Sequence, residues 1–216
     1  SCNPPIPGAV SVLINQGDGT FQTAVSYRVG DYPPASLITA DFNGDGNPDL
    51  ATANANPGTG TVSVLLNWGD GTFQAAVSYP AGVGSLALIA SDLNGDGKPD
   101  LATASATDVT VLLNQGDGTF LAVVSYPAGG RPRSLIIEDL DGDGSPELAT
   151  ANLYSGDVSV LDLRHPTAGV KRVSILEPDR TYHRSAPFKL PHLASWAVAK
   201  SKVFVPLVGE KRLAVL

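Results

Sequence analysis

Short apolar runs alternate with glycine-rich polar segments along the chain. One run, Val62–Leu66, is followed by Asn67 and then by Trp-Gly-Asp-Gly-Thr-Phe, and close copies of this segment end at Phe21 and Phe120. Valine and leucine residues that stop at Gly-Asp-Gly and resume at Thr-Phe are typical of two strands joined by a hairpin turn. Since the pattern recurs without an intervening helical period, it predicts an all-β chain.

Each copy contains enough apolar runs for four strands. In the second copy these are predicted at 85–91, 100–105, 108–114 and 119–126. Four short antiparallel strands in about 45 residues make one blade of a β-propeller. The same spacing predicts a half blade and three blades, at 6–27, 35–79, 85–126 and 134–176. We therefore expect a β-propeller of four-stranded antiparallel blades whose ring is incomplete in this chain.

An acidic segment with glycine at alternate positions joins the first and second strands of each blade. In the first copy Asp41, Asn43, Asp45 and Asp49 stand at positions 1, 3, 5 and 9, and position 7 offers a backbone carbonyl. This alternation supplies the oxygen ligands that Ca²⁺ prefers. Asn-Gly and Asp-Gly pairs also form ordinary turns. However, two further copies keep acidic or amide residues at all four positions, and an ordinary turn does not require them there. The repetition favours a metal-binding loop.

The loops and strands together resemble FG-GAP or VCBS repeats, the β-propeller repeats of integrin α chains and of many secreted bacterial proteins. The resemblance covers residues 8–163, and Leu-Ala-Thr-Ala in place of the integrin Gly-Ala-Pro signature points to the bacterial VCBS branch. It implies three Ca²⁺ sites. The implied ligands, which include the carbonyl at position 7, are Asp41, Asn43, Asp45, Asn47 and Asp49; Asp92, Asn94, Asp96, Lys98 and Asp100; and Asp139, Asp141, Asp143, Ser145 and Glu147.

The pattern and the charge both change near residue 163. Residues 1–163 carry 18 Asp and Glu against 4 Lys and Arg, whereas residues 164–216 carry 3 against 10. The repeat region is therefore 1–163, and 164–216 is a divergent tail with strands predicted at 195–199, 202–208 and 211–216. This tail is similar to propeller repeats of the YVTN class. We interpret the chain as a fragment of a longer protein.

Composition excludes several kinds of partner and site. The acidic repeats would repel nucleic acid, and no apolar run is long enough to span a membrane. Cys2 is the single cysteine, so an internal disulfide is excluded. His165, His183 and His192 are too far apart in sequence to predict a zinc site, and we expect them at the surface.

Trp68 is the residue that most clearly breaks the repeat within a turn. It replaces Gln16 and Gln115 of the other copies. Its ring either lies on neighbouring strands or forms a platform on which a sugar stacks. Because scaffold positions repeat and recognition positions vary, we expect a ligand face opposite the calcium loops, with Trp68 on it.

The repeated residues serve the scaffold, and no catalytic motif stands out among the others. Asp31, Glu177, Asp179 and His183 break the repeat but form no recognisable catalytic constellation. The sequence thus favours a non-catalytic, calcium-binding propeller outside the cell or on its surface, for adhesion or for binding a protein or glycan. A polysaccharide-active enzyme such as a lyase and a purely structural module of a larger surface protein are the alternatives.

Overall fold

A computed structural model describes residues 7–121, 124–140 and 142–163, together with the backbone of four further strands after residue 170. These residues form strands and turns, with no helix among them. Every strand pairs with a sequence neighbour in antiparallel orientation. The prediction of an all-β fold is confirmed.

The strands group into a half blade, three four-stranded blades and a three-stranded sheet in the tail. They are β1 (Gly8–Val12) and β2 (Val25–Gly30) in the half blade; β3 (Pro34–Ala40), β4 (Asp49–Asn54), β5 (Gly60–Leu65) and β6 (Val77–Gly82) in blade 1; β7 (Ala87–Ser91), β8 (Asp100–Ala104), β9 (Asp108–Leu112) and β10 (Val124–Pro127) in blade 2; β11 (Pro132–Glu138), β12 (Glu147–Asn152), β13 (Asp157–Leu161) and β14 (Lys171–Ser174) in blade 3; and β15 (Ala197–Ala199), β16 (Lys202–Pro206) and β17 (Leu213–Val215) in the tail.

The blades stand side by side in chain order. The first strands β3, β7 and β11 contact one another in series, and β1 of the half blade contacts β3. This arrangement is that of a β-propeller, in which the first strand of each blade lies nearest the axis. In the described part of the chain no strand pairs with the free edge of β1, so the ring is open as predicted.

The fourth strand of blade 2 differs from its prediction. It was expected at 119–126, but the described strand is Val124–Pro127. Phe120 instead forms an isolated bridge with Asn114. The turn has its own backbone hydrogen bonds, from Gln115 N to Thr119 O (2.9 Å) and from Leu121 N to Leu113 O (2.8 Å). These bonds close a compact hairpin before the outer strand begins.

The hydrophobic core lies between blades rather than within one. Leu101 packs into the core between blades 1 and 2, while its neighbour Ala102 packs into the core between blades 2 and 3. Leu50 likewise faces the half blade, and Ala51 faces blade 2. Because both faces of a second strand are buried, its sequence Leu-Ala-Thr-Ala lacks the alternation of apolar and charged residues seen in a half-exposed strand.

Aromatic side chains connect neighbouring blades at repeated positions. The ring of Phe120 lies edge-on to Phe42 and to Tyr79, with centroids 5.6 and 5.4 Å apart. One interface earlier Tyr27 and Phe73 make the same contact at 5.6 Å, and Phe73 N donates to Tyr27 Oη (3.2 Å). Such edge-to-face pairs add to the stability gained from burial. The repeated tyrosines therefore serve inter-blade packing.

We predict that Phe120→Ala destabilises the protein by about 3–5 kcal/mol, because it leaves a cavity between blades 1 and 2. Phe21→Ala is the matched control. Phe21 occupies the same hairpin position in the half blade but is 57% exposed, so its loss should change stability by less than about 0.5 kcal/mol. Urea unfolding measures both, and equal losses would contradict this account of the core.

Candidate metal-binding loops

The first carboxylate of each loop organises the backbone that follows it. Asp41 Oδ1 accepts N–H groups from Gly44 (2.8 Å) and Asp45 (3.1 Å), and its Oδ2 accepts that of Gly46 (2.8 Å). The glycines have positive φ angles of 74° and 86°, which residues with a Cβ rarely adopt. Asp92 makes the same three bonds in blade 2. The glycines are therefore required for the loop to wrap around its first side chain.

The third and fifth positions add oxygen atoms on the exposed side of the loop. Asn43 Oδ1 accepts the N–H of Asp45 (3.0 Å), and Asn43 Nδ2 donates to Asp45 Oδ2 (2.9 Å). Asp45 Oδ1 accepts the N–H of Asn47 (2.8 Å). The Asn47 N–H, followed by the Asn43 amide, holds the pKa of Asp45 below its usual value. The loop thus presents ionised and amide oxygens, which are hard ligands.

The carboxylate at position 9 is buried and joins the loop to the rest of its blade. Asp49 is fully buried; its Oδ2 accepts the N–H of Phe42 in the loop (2.9 Å) and its Oδ1 accepts that of Asn67 in the hairpin turn (2.7 Å). Asp100 accepts the corresponding pair of bonds in blade 2, at 3.0 and 2.8 Å. We name this pair of bonds the carboxylate clamp.

The third loop keeps the loop-side bond with a longer side chain. Glu147 is 4% exposed, and its Oε2 accepts the N–H of Leu140 (2.8 Å). The extra methylene group is therefore accommodated at position 9. Ser145 Oγ, at position 7, is buried and has no hydrogen-bond partner among the described residues. Asp141, the predicted ligand at position 3, lies outside the described residues.

Like charges accumulate around the buried acid. Burial raises the pKa of Asp49, the N–H groups of Asn67 and Phe42 oppose this, and the carboxylates of Asp45 and Asp41 raise it further. The pKa of Asp100 is raised by the same causes, with Asp96 and Asp92 as the neighbouring charges. The first and second loops therefore each place two further carboxylates close enough to repel the buried one.

The donor chemistry of the loops fits a hard divalent cation, since every predicted ligand atom is an oxygen. The oxygens of the loops accept N–H groups of their own backbone, as described above. Within the described ranges, no three His, Cys, Asp or Glu side chains are gathered around one point as metal ligands. Calcium binding and the assignment of its ligands therefore stay predictions.

The loop of blade 1 also contacts the hairpin turn of blade 2. The carbonyl of Phe42 accepts bonds from Asn114 Nδ2 (2.9 Å) and from Gly118 N (3.0 Å), both in blade 2. Asn114 Nδ2 also donates to Pro99 O (3.1 Å) in the loop of its own blade. Sequence reasoning missed this inter-blade role of asparagine. The available signal was its recurrence directly before each turn, at Asn15, Asn67 and Asn114.

Trp68 lies on the same side of the blade as the candidate metal-binding loop, so its predicted place on the opposite face is wrong. Its neighbour Asn67 bonds to Asp49 and, through Nδ2, to Pro48 O (2.9 Å). In an antiparallel sheet, the loop between strands one and two and the turn between strands three and four emerge at the same end. Trp68 is 65% exposed, so the ring projects into solvent.

The loops and hairpins are shared with a known repeat. A profile of the FG-GAP-like repeat matches residues 3–52, 41–103 and 92–150, which together span more than half of the chain. The chain belongs to the FG-GAP-like repeat family. The second and third matched segments each begin at the first carboxylate of one loop and end just after the following loop. The spacing of the loops is therefore the repeat length of the family match.

Similarity to individual proteins is partial. Protein NirF of Pseudomonas aeruginosa is 41% identical over 56 residues, and NirF of Stutzerimonas stutzeri is 42% identical over 57 residues. These segments span 26% of this chain and 14% of each relative. A crystal structure of a protein from Lactobacillus plantarum has a TM-score of 0.57 and 19% identity, covering 98% of this chain and 64% of that one. At this identity the likeness shows the fold alone.

The remaining predicted residues lie away from the FG-GAP-like loops or outside the described residues. Asp31 is exposed and forms an ion pair with Arg28 (2.6 Å). The other three candidates for catalysis and all the histidines lie outside the described residues, at Glu177, Asp179, His183, His165 and His192. In the part of the chain that is described, no helix is long and apolar enough to cross a membrane.

We predict that Asn114→Ala destabilises the protein by about 1–3 kcal/mol, because it leaves the buried carbonyl of Phe42 and the partly buried carbonyl of Pro99 without the side-chain donor. Asn15→Ala is the matched control. Both asparagines accept the N–H two residues on, in each case at 2.8 Å, but Asn15 is exposed. Unfolding in EGTA isolates this effect from any metal. If Asn15→Ala lowered the free energy of unfolding as much as Asn114→Ala does, the inter-blade role of Asn114 would be contradicted.

Proposed function

We propose that this FG-GAP-like chain is a non-catalytic, calcium-stabilised propeller module that acts outside the cell and presents a binding face to a protein or glycan. The observation that carries the calcium part is the placement of Asp45 and Asp41 near buried Asp49, whose pKa is raised by burial and further by repulsion from these two carboxylates. A divalent cation relieves such repulsion. In the first loop the ion would be held by those three residues, Asn43 and the carbonyl of Asn47.

Calcium in these loops supplies stability rather than chemistry. A carboxylate has about four lone-pair sites, so the three N–H bonds accepted by Asp41 and the two accepted by Asp49 leave capacity for an ion. Where an oxygen of Asp45 is taken up by Asn43, ion binding exchanges that bond for a metal contact. Extracellular modules bind calcium weakly and work where calcium is abundant, and a stabilising rather than catalytic ion matches that setting. This match supports an extracellular location.

The proposed ligand face is the one opposite the loops. It is formed by the turns between second and third strands, at 55–59, 105–107 and 153–156, and by the connections between blades. These segments differ in sequence and length from blade to blade, whereas the loops and hairpins on the other face repeat. Variable loops on a repeated scaffold are where recognition is usually found.

A screen of glycan and protein arrays with the 216-residue chain, in calcium and in EGTA, tests the proposal. We expect binding to at least one probe in calcium, weakened in EGTA as the blades loosen. Absence of binding to every probe in calcium would refute the binding function and leave the structural module. Release of shortened products from a polysaccharide would refute the non-catalytic assignment and favour the lyase-like alternative.

We predict that the third loop binds calcium most tightly, because its sequence brings four carboxylates and each of the others brings three. Each of three substitutions should remove one calcium site in a calorimetric titration: Asp41→Ala, Asp92→Ala and Asp139→Ala. The site lost in Asp139→Ala should be the tightest. Asp117→Ala, in an exposed hairpin turn, is the control with the same change of charge and should retain all sites. The ranking is wrong if Asp139→Ala removes the weakest one.

A further inference from the structure

An aromatic and cationic pair stands on the proposed ligand face, where blade 2 meets blade 3. Tyr154 lies in the turn between β12 and β13 and is 72% exposed. The guanidinium carbon of Arg131, in the connection from β10 to β11, lies 5.1 Å from the centre of the Tyr154 ring. Its Nη1 also donates to Tyr154 Oη. The arginine therefore holds the phenol ring at the surface, with most of the ring in solvent.

The backbone at Arg131 is held in an unusual conformation. Its φ is 56°, and no other described residue except glycine has a positive φ. Its N–H donates to Ala106 O in blade 2 and its carbonyl accepts the N–H of Leu153 in blade 3, both at 3.0 Å. At the preceding junction Gly84 has a φ of 66° and donates its N–H to the earlier blade in the same way.

Glycine is the residue that meets this backbone requirement without strain. An arginine there adds strain, and such strain tends to occur where a side chain has a function. Among the described junctions, only the one between blades 2 and 3 has a large charged residue in a left-handed backbone conformation.

Arg131 also differs from the other cations of the acidic repeat region. Arg28 is paired with Asp31 (2.6 Å) and Lys98 with Asp96 (3.5 Å). Among the described residues no carboxylate forms an ion pair with Arg131, and the exposed Arg133 follows two positions later. The region has 18 acidic and 4 basic residues, so Arg131 is a positive charge in a negative field that no described carboxylate neutralises by an ion pair. Such a charge attracts an isolated negative group.

We infer that Arg131 and Tyr154 form a binding site for a carboxylated sugar. A guanidinium recognises a carboxylate through paired hydrogen bonds. A tyrosine ring held at the surface offers a flat apolar face for the C–H groups of a sugar ring, with a polar edge at its hydroxyl. Dense polyanions such as nucleic acid are disfavoured, because the surrounding acidic surface repels their many phosphates. The inference rests on the proposed glycan-binding function and gives it a ligand class and a site.

Calorimetry on the full chain in calcium tests the inference with trigalacturonate and sialyllactose as carboxylated probes. Lactose is the neutral control, and a glutamate-rich peptide is the competing acidic ligand. We expect at least one carboxylated sugar to bind, with lactose binding at least about tenfold more weakly. Arg131→Gly should weaken binding by roughly tenfold or more, since it removes a charge-assisted contact. The backbone tolerates glycine there, so thermal unfolding should show this variant to be folded.

Two further variants distinguish a specific loss of the binding site from a general change in charge and from unfolding. Arg28→Ala removes the same charge from a paired, exposed position and should leave affinity within about twofold. Tyr154→Ala changes an exposed ring and should weaken sugar binding without unfolding the protein. The inference is overturned if neither carboxylated sugar binds, if Arg131→Gly binds as the unaltered chain does, or if the peptide binds more tightly than both sugars. Array binding of a neutral glycan or a protein would then still uphold the proposed function.

Discussion

In blades 1 and 2, a buried carboxylate at the start of the second strand holds together three parts of the blade. Asp49 and Asp100 each accept one N–H from the candidate metal loop and one from the hairpin turn. A buried charge is tolerated only when it is hydrogen-bonded in this way. The carboxylate clamp therefore fixes the loop relative to the strands before any ion is considered. Asn114, whose own N–H is bound by Asp100, also donates to Phe42 O and so links the clamp of blade 2 to blade 1.

The repeat made much of this arrangement predictable. Each copy of about 45 residues is one four-stranded unit that cannot bury its faces alone, so repetition predicts a row of packed blades. The recurring tyrosines could be assigned to packing because a residue kept at every copy serves what the copies share. Tyr27 and Tyr79 indeed lie in successive inter-blade cores. The position of the acidic loops between first and second strands followed from the order of apolar runs.

Other features depend on contacts between copies, which a local pattern does not contain. Variability alone pointed to Trp68 as part of the opposite face, whereas the antiparallel strand order places it beside the candidate metal-binding loop. The bond from Asn114 to Phe42 joins residues 72 positions apart, and asparagine before Gly-Asp-Gly also suits an ordinary turn. Arg131 gave no signal in sequence, because its left-handed backbone is set by hydrogen bonds to two different blades.

Thermal unfolding in calcium and in EGTA tests the central claim, that the loops are calcium sites on which stability depends. A site with a dissociation constant of about 10⁻⁴ M stabilises by ~1.4 kcal/mol at about 1 mM calcium, and three give about 4 kcal/mol. For a chain of this size that predicts a melting temperature roughly 8–16 °C higher in calcium. Far-UV circular dichroism should be unchanged, since the hydrogen bonds of the carboxylate clamp form without the ion. Equal melting temperatures in calcium and EGTA would show that the loops are hydrogen-bonded turns.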